Sequence, residues 1–233
     1  MASQEQKIVA FVLYPGLTLL DLVGPLQVFA SLRRFSDQYH PVVVAERIGP
    51  MLTDGPLAVT ADATFADVAD PTVVIVPGGD APTIKAMGNE TIRDYLRHAA
   101  ETAPVMGSVC TGALVLAAAG LLEGRNATTH WAYHTLLERL GATYLPERWV
   151  EDGKFITSAG VSAGIDMALA LVARLTDQAT ARLVQLAIEY DPHPPFGGID
   201  WNEVDRHAYE PVLGPMVKRE LADRPELLAK LST

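Results

Sequence analysis

The chain has 233 residues, 49 % of them hydrophobic, enough to bury the core of one large α/β domain or at most two small ones. A formal net charge of −10 argues against a nucleic-acid partner, whose binders carry basic patches. A single cysteine excludes an internal disulfide, and a reducing, cytoplasmic setting is expected. The segment Met1 to Lys7 has no basic stretch leading into an apolar run, so no secretory leader is expected there.

Lys7 to Tyr14 is a short β-rich apolar run ended by Pro15-Gly16, the pattern of a buried parallel strand. A helical pattern follows over about 17–34, with Leu20, Val23, Leu26, Val28 and Leu32 as apolar positions. Residues 41–45 form a second strand, and 49–60 reads as turns with short strands. Thr72 to Val76 is the clearest central strand, stopped by Pro77-Gly78-Gly79-Asp80. The expected elements continue with a helix over 91–102, a strand over 105–109 and a helix over 111–122. The stretch 102–122 carries no charge and approaches membrane-spanning length, but Pro104, Gly107, Ser108 and Gly112 interrupt any continuous helix. A buried strand–turn–helix accounts for the same residues, and no membrane partner is expected. Residues 131–140 are helical, 150–157 form a hairpin turning at Asp152-Gly153, and two helices, 162–176 and 179–190, flank Asp177.

Strands alternating with helices predict a doubly wound, mostly parallel sheet flanked by helices, flavodoxin-like, with ligands bound beyond the carboxyl ends of the strands. The stretch Pro192 to Gly198 is expected to separate an α/β domain over 1–198 from a C-terminal extension over 199–233. That extension, too short for a second domain, is expected to pack on the domain or on a dimer partner.

Three features fall at the carboxyl edge of the expected sheet. Ser108-Val109-Cys110-Thr111-Gly112 has the small–x–nucleophile–x–small pattern of a strand-to-helix elbow, where free N–H groups at the helix start would stabilise a Cys110 thiolate. The plain alternative is a buried packing cysteine. Gly78 and Gly79 can aim backbone N–H groups at developing negative charge, or can simply form a tight turn. Asp21, between leucines, is either half-buried with a raised pKa, which suits proton transfer near neutrality, or a helix cap.

His130 and His134 stand four residues apart with aromatics between them, but no glutamate follows His130 and no third ligand is near, so no metal is expected. His130 and Trp131 line a pocket or pack; Glu189 and Tyr190 receive no role. No serine elbow, phosphate-binding loop or complete dinucleotide fingerprint occurs, which leaves nucleotide use unsupported.

Tyr14-Pro15, Pro77-Gly78-Gly79, the Cys110 elbow and Ala127-Thr128-Thr129-His130 together resemble the ThiJ/PfpI superfamily, the class I glutamine-amidotransferase-like α/β proteins, over about 7–195. The stretches 20–25, 108–116, 127–134, 163–169 and 184–190 are similar to its isonitrile hydratase branch, and much of that set is shared with sensor domains of AraC-type regulators. Two departures sort the branches. Thr111 stands where protease-like relatives often place a histidine, and the acid near the first strand is Asp21 where many relatives have glutamate. A regulator also needs a helix-turn-helix module, which the stretch 199–233 is expected to be too short to supply.

The resemblance implies a cofactor-free, cysteine-dependent hydro-lyase that converts an isocyanide to an N-substituted formamide. Cys110 would form a thioimidate, Asp21 would move protons, Thr111 would position Asp21 or water, and the N–H groups of Gly78, Gly79 or Thr111 would stabilise charge. It also implies a homodimer acting on a small molecule. Alternative readings are a glyoxalase- or hydrolase-like enzyme on small carbonyl compounds, or a ligand- or redox-sensing protein without turnover.

Overall fold

The computed structural model describes residues 6–231; residues 1–5 of the segment read as lacking a leader, and the last two residues of the extension, lie outside them. The chain begins with β1 (Lys7–Val12), α1 (Leu19–Leu32) and β2 (Tyr39–Ala45), followed by three short strands, β3 (Pro50–Leu52), β4 (Ala58–Thr60) and β5 (Ala63–Thr64). Next come β6 (Val73–Val76), α2 (Ala81–Met87), α3 (Glu90–Thr102), β7 (Val105–Ser108) and α4 (Gly112–Ala118). After β8 (Asn126–Ala127), a 3₁₀ turn over Trp131–Tyr133 leads into α5 (His134–Arg139), β9 (Thr143–Tyr144), β10 (Trp149–Asp152) and β11 (Phe155–Ser158). The chain closes with α6 (Ala163–Leu175), α7 (Gln178–Ala187), α8 (Glu210–Glu220) and α9 (Pro225–Leu231).

Seven strands form the main sheet in the order β10-β11-β7-β6-β1-β2-β5. All pairs are parallel except the β10–β11 hairpin at one edge, where Gly153 supplies the positive φ of the turn. Every residue of β6 and β7 is buried, which is why these strands read as unbroken apolar or small runs with no polar alternation. Helices α1, α6 and α7 pack together, α2, α3, α4 and α8 pack together, and the two groups flank the sheet. Helix α3 shows the underlying pattern: Ile92, Tyr95, Leu96, Ala99 and Ala100 face inward at helical spacing, and the Asn89 side chain caps the start by accepting from Ile92 N–H.

Several elements differ from the sequence expectations. Residues 81–87 form α2, hidden from periodicity because this helix of only about two turns starts directly after the Gly-Gly loop. Residues 131–140 divide into the 3₁₀ turn and α5. The helix expected over 111–122 stops at Ala118, and Gly120 follows with φ +82°, a left-handed exit that glycine tolerates. Helix α7 ends at Ala187, and Glu189 is left-handed at φ 51°. Beyond an exposed stretch at 191–203, Leu213, Val217, Leu221, Leu227 and Leu231 of α8 and α9 bury into the same hydrophobic core as the sheet. Among the described residues no helix is long and apolar enough to cross a membrane.

Candidate active site

The carboxyl ends of β1, β6 and β7 converge, and the parallel register that aligns Val76 with Ser108 puts the Pro77 loop beside Cys110. Three backbone hydrogen bonds hold the elbow. Val109 N–H donates to Val76 O at 2.9 Å, and Cys110 N–H donates to Ser158 O and Ala159 O, each at 3.1 Å. The turn forces Cys110 to φ 56°, the left-handed region, which costs an ordinary residue about 1 kcal/mol. Gly112 then passes so close to β6 that a Cβ there would lie 2.0 Å from Val76 O; only glycine fits. The left-handed turn and the close approach together fix the position of the side chain at 110.

Asp21 lies in the first turn of α1 and is fully buried. It does not cap the helix. The N-cap is Thr18, and the α1 N–H of Leu19 is taken by Asp54 Oδ1 at 2.9 Å, so that alternative is set aside. Instead Asp21 Oδ2 accepts from Gly78 N–H at 3.0 Å. The Cys110 thiol is within hydrogen-bonding reach of the same carboxyl group. Oδ1 nevertheless has no partner at good geometry among the described residues, so the thiol contact is loose. Burial raises the carboxyl to about 7; the Gly78 N–H and the Cys110 thiol pull it down in part, and the Asp54 carboxylate adds a little upward push.

The cysteine departs from the expectation of a stabilised resting thiolate. Burial drives the Cys110 thiol well above its ordinary value, and the neighbouring Asp21 charge pushes the same way. Backbone N–H groups of Val161 and Thr111 do reach the sulfur, but they offset only part of that rise. Dehydration of the buried Cys110, a residue only 5 % exposed, outweighs two N–H dipoles, so the resting thiol keeps its proton at neutral pH.

The two loop glycines also differ from expectation. Gly78 N–H is spent on Asp21, and Gly79 N–H donates to Thr111 Oγ1 at 3.0 Å, so neither points free into the site. Both positions are closed to larger residues. A Cβ at 78 would stand 2.6 Å from Thr111 N and 2.7 Å from Asp21 Oδ2, and one at 79 would stand 2.7 Å from Leu17 Cα. The glycines therefore bring Asp21 and the elbow into contact.

Thr111 likewise has its hydroxyl occupied. Tyr14 OH donates to Pro77 O at 2.7 Å, which uses its only proton. The 2.9 Å contact between Tyr14 OH and Thr83 Oγ1 must then have Thr83 as donor, and the 2.9 Å contact between Thr83 and Thr111 must have Thr111 as donor. The chain runs from Gly79 N–H through Thr111, Thr83 and Tyr14 to Pro77 O and clamps the loop, leaving no Thr111 proton for Asp21 or water. Sequence reading missed Thr83, inside the unread α2, and Val161, whose N–H comes from the small-residue turn 158–164 after β11. A run of Ser, Ala and Gly at a strand's carboxyl end was the available signal for Val161.

A cavity of about 330 Å³ adjoins this centre, and Leu20, Thr129, His130, Trp131, Gly160 and Val161 form the wall nearest it. Thr129 Oγ1 donates to Cys110 O at 2.9 Å, so one layer of residues separates the cavity from the cysteine. His130 and Trp131 thus line a pocket, and burial lowers the His130 pKa against a smaller upward pull from Asp80. His134 turns elsewhere, bonding Trp131 O through Nδ1 and meeting the rings of Tyr144 and His207. Among the described residues no group of three or more His, Cys, Asp or Glu side chains could hold a metal ion.

A parallel sheet carrying a strained cysteine elbow opposite a buried acid defines a class, and the chain belongs to the DJ-1/PfpI family, whose pattern it matches over residues 7–174. It is 45 % identical over 188 residues to the isonitrile hydratase of Pseudomonas putida, covering 81 % of this chain and 80 % of that one. It also matches the crystal structure of a ThiJ/PfpI family protein from Pseudomonas syringae with a TM-score of 0.82 and 35 % identity, covering 98 % of this chain and 91 % of that one. A third relative, the HTH-type transcriptional regulator CdhR of Pseudomonas aeruginosa, is 32 % identical over 70 % of this chain, which spans 49 % of the regulator.

Proposed function

We propose that the protein is an isonitrile hydratase, adding water to R–N≡C to give R–NH–CHO with Cys110 as nucleophile and Asp21 as proton carrier. The observation that carries this reading is the buried Asp21 carboxyl, raised to about 7 and in reach of the chain's only cysteine. The family relation to the Pseudomonas putida isonitrile hydratase supports it. An isocyanide carbon accepts a nucleophile and, once attacked, holds an electron pair that needs a proton. A protonated thiol beside a half-protonated acid supplies both.

In the first step Asp21 takes the thiol proton, the sulfur bonds to the isocyanide carbon, and Asp21 returns the proton to that carbon. The product is a thioimidate, R–N=CH–S–Cys110. In the second step Asp21 takes a proton from water as the hydroxide adds to the same carbon, and passes that proton to the nitrogen, giving R–NH–CH(OH)–S–Cys110. Collapse breaks the C–S bond and releases the formamide, while the hydroxyl proton passes through Asp21 to the departing sulfur. The N–H groups of Val161 and Thr111 hold the sulfur's charge as it forms and leaves. Gly78 positions Asp21, and Gly79, Thr83 and Tyr14 position Thr111. This chemistry calls on no cofactor.

The same proposal places the enzyme in the cytoplasm as a homodimer, with residues 1–198 as its α/β domain and 199–233 as an extension packed on it. Formamide formation from a panel of isocyanides tests the activity, with methylglyoxal as the substrate that a carbonyl-directed enzyme would consume instead. Cys110→Ala should abolish formamide formation; activity within a few-fold of wild type removes the nucleophile assignment. Consumption of methylglyoxal alone replaces the hydratase reading.

A further inference from the structure

The carboxyl edge of the sheet carries a second cavity, of about 890 Å³, that the proposed reaction does not use. The cavity near the cysteine opens on the face of α1 and α6, through Leu20 and Ser162. The second opens on the opposite face, between α2, the start of α3 and the end of α8. Its place follows from the strand order. From β1 the chain runs outward to β2 and β5, then returns to β6 on the other side of β1. Ligands of open α/β sheets bind in the crevice beyond two neighbouring strands whose connections leave in opposite directions. Tyr14, Pro15 and Gly16, which follow β1, and Ala81, Pro82 and Lys85 of α2, which follows β6, border the second cavity. Toward Cys110 it is sealed. Pro82 packs so closely on the β1 loop that a Cβ at Gly16 would lie 2.6 Å from Pro82 Cγ, and the Tyr14 hydroxyl is tied to Pro77 O.

The lining joins an apolar floor, in which Leu13, Met51 and Ile92 belong to the buried core, to a rim of charge. Three acids and three bases stand on that rim, yet no ion pair joins any of them to another. Glu220 is neutralised from outside by Arg219 at 2.7 Å, and Glu46 Oε2 accepts from Asn89 Nδ2 at 3.4 Å. Asp223 is then the one acid without a partner among the described residues, against three bases. The turn at Gly88-Asn89 gathers those bases. Lys85 lies one turn back, where its carbonyl accepts from Gly88 N–H; Arg224 Nε donates to Gly88 O at 2.8 Å; and Arg47 follows the Glu46 that reaches Asn89. Arg47 and Lys85 have no hydrogen bond or ion pair from their side chains among the described residues, and Arg224 keeps its Nη groups free. We propose that this cavity binds a small organic anion with an apolar body. Its carboxylate or phosphate meets Arg47, Lys85 and Arg224, whose guanidinium forks match such oxygens, and its body covers Leu13, Met51 and Ile92. The site stands apart from the hydratase reading, because neither Cys110 nor Asp21 lines it.

Calorimetry on the full-length protein tests this with three probes of one shape: 3-phenylpropionate, the neutral 3-phenylpropan-1-ol and the cationic 3-phenylpropylamine. The carboxylate should bind with a Kd of about 1 mM or tighter, about tenfold ahead of the alcohol and further ahead of the amine. Its binding should weaken as salt is raised, because the contacts are exposed charges. The double variant Arg47→Glu with Lys85→Glu should lose that tenfold preference. It should keep the wild-type circular dichroism, since neither side chain bonds to the rest of the protein. Cys110→Ala should bind the carboxylate as the wild type does. The proposal is overturned if the carboxylate fails to bind, if the alcohol or the amine binds as tightly, or if the folded double variant keeps the preference. Loss of binding in Cys110→Ala overturns it too, by moving the probe to the reaction centre.

Discussion

Replacing Asp21 by asparagine should make the protein more stable at pH 8 while ending its turnover. An ordinary aspartate titrates near 3.8, and burial raises Asp21 to about 7. Between those two values the unfolded chain has lost its proton and the folded one keeps it, so folding is linked to proton uptake and stability falls as pH rises. The slope is about 1.4 kcal/mol per pH unit, and the window spans about three units, so the wild type forfeits about 4 kcal/mol between pH 4 and pH 8 at this residue alone. Asparagine keeps an oxygen for Gly78 N–H and carries no charge at either pH.

Urea unfolding followed by tryptophan fluorescence, run on both proteins from pH 4 to pH 8.5, measures the effect. The other shifted groups, Asp80 and His130 among them, are common to both chains and cancel in the difference. The stability gap in favour of Asp21→Asn should widen with pH by about 4 kcal/mol and level off above about pH 8. In thermal melts of a chain this long, that corresponds to about 10 °C. A gap independent of pH, or an asparagine variant that is the less stable protein at pH 8, would refute a buried carboxyl titrating near neutrality.

Three further outcomes follow from the same geometry. Gly112→Ala should cost at least about 3 kcal/mol in urea unfolding, or prevent folding, because its Cβ would overlap Val76 O; a melting temperature within about 2 °C of wild type contradicts the close approach. Thr111→Val leaves Gly79 N–H and Thr83 Oγ1 without their partner and should destabilise by about 1–3 kcal/mol, with Thr111→Ser restoring most of it. Thiolate absorbance near 240 nm, corrected with Cys110→Ala, should appear at lower pH in Asp21→Asn than in wild type, because the Asp21 charge is one of the forces holding the thiol up. A midpoint that stays or rises removes that coupling.

The parallel sheet was legible because its central strands are buried on both faces, so β6 and β7 needed no pattern beyond apolar or small residues between turn signals. The elbow was legible for a local reason: Ser108 and Gly112 form a small-residue frame around a non-glycine residue that turns left-handed between a strand and a helix. What escaped was long-range. Val161 reaches the sulfur across 51 positions of chain, and Thr83 joins the hydroxyl relay from a helix too short to show a period. The protonation state of Cys110 escaped for an energetic reason. A helix start is visible in sequence, whereas the desolvation that overrides it depends on everything packed around the sulfur.

That override bears on the chemistry. A resting thiolate suits attack on a carbonyl, where negative charge moves to oxygen and an N–H cradle is the chief requirement. Here the N–H groups of Gly78 and Gly79 are consumed by Asp21 and Thr111, and the thiol keeps its proton. Attack on an isocyanide leaves its electron pair on carbon, so the requirement is a proton delivered to that carbon in the same event. An acid poised at about 7 within reach of the thiol answers that requirement, because it can remove the sulfur's proton and return it across one contact. The features that weaken the expectation of a stabilised thiolate therefore strengthen the case for addition across a carbon that must receive both a sulfur and a proton.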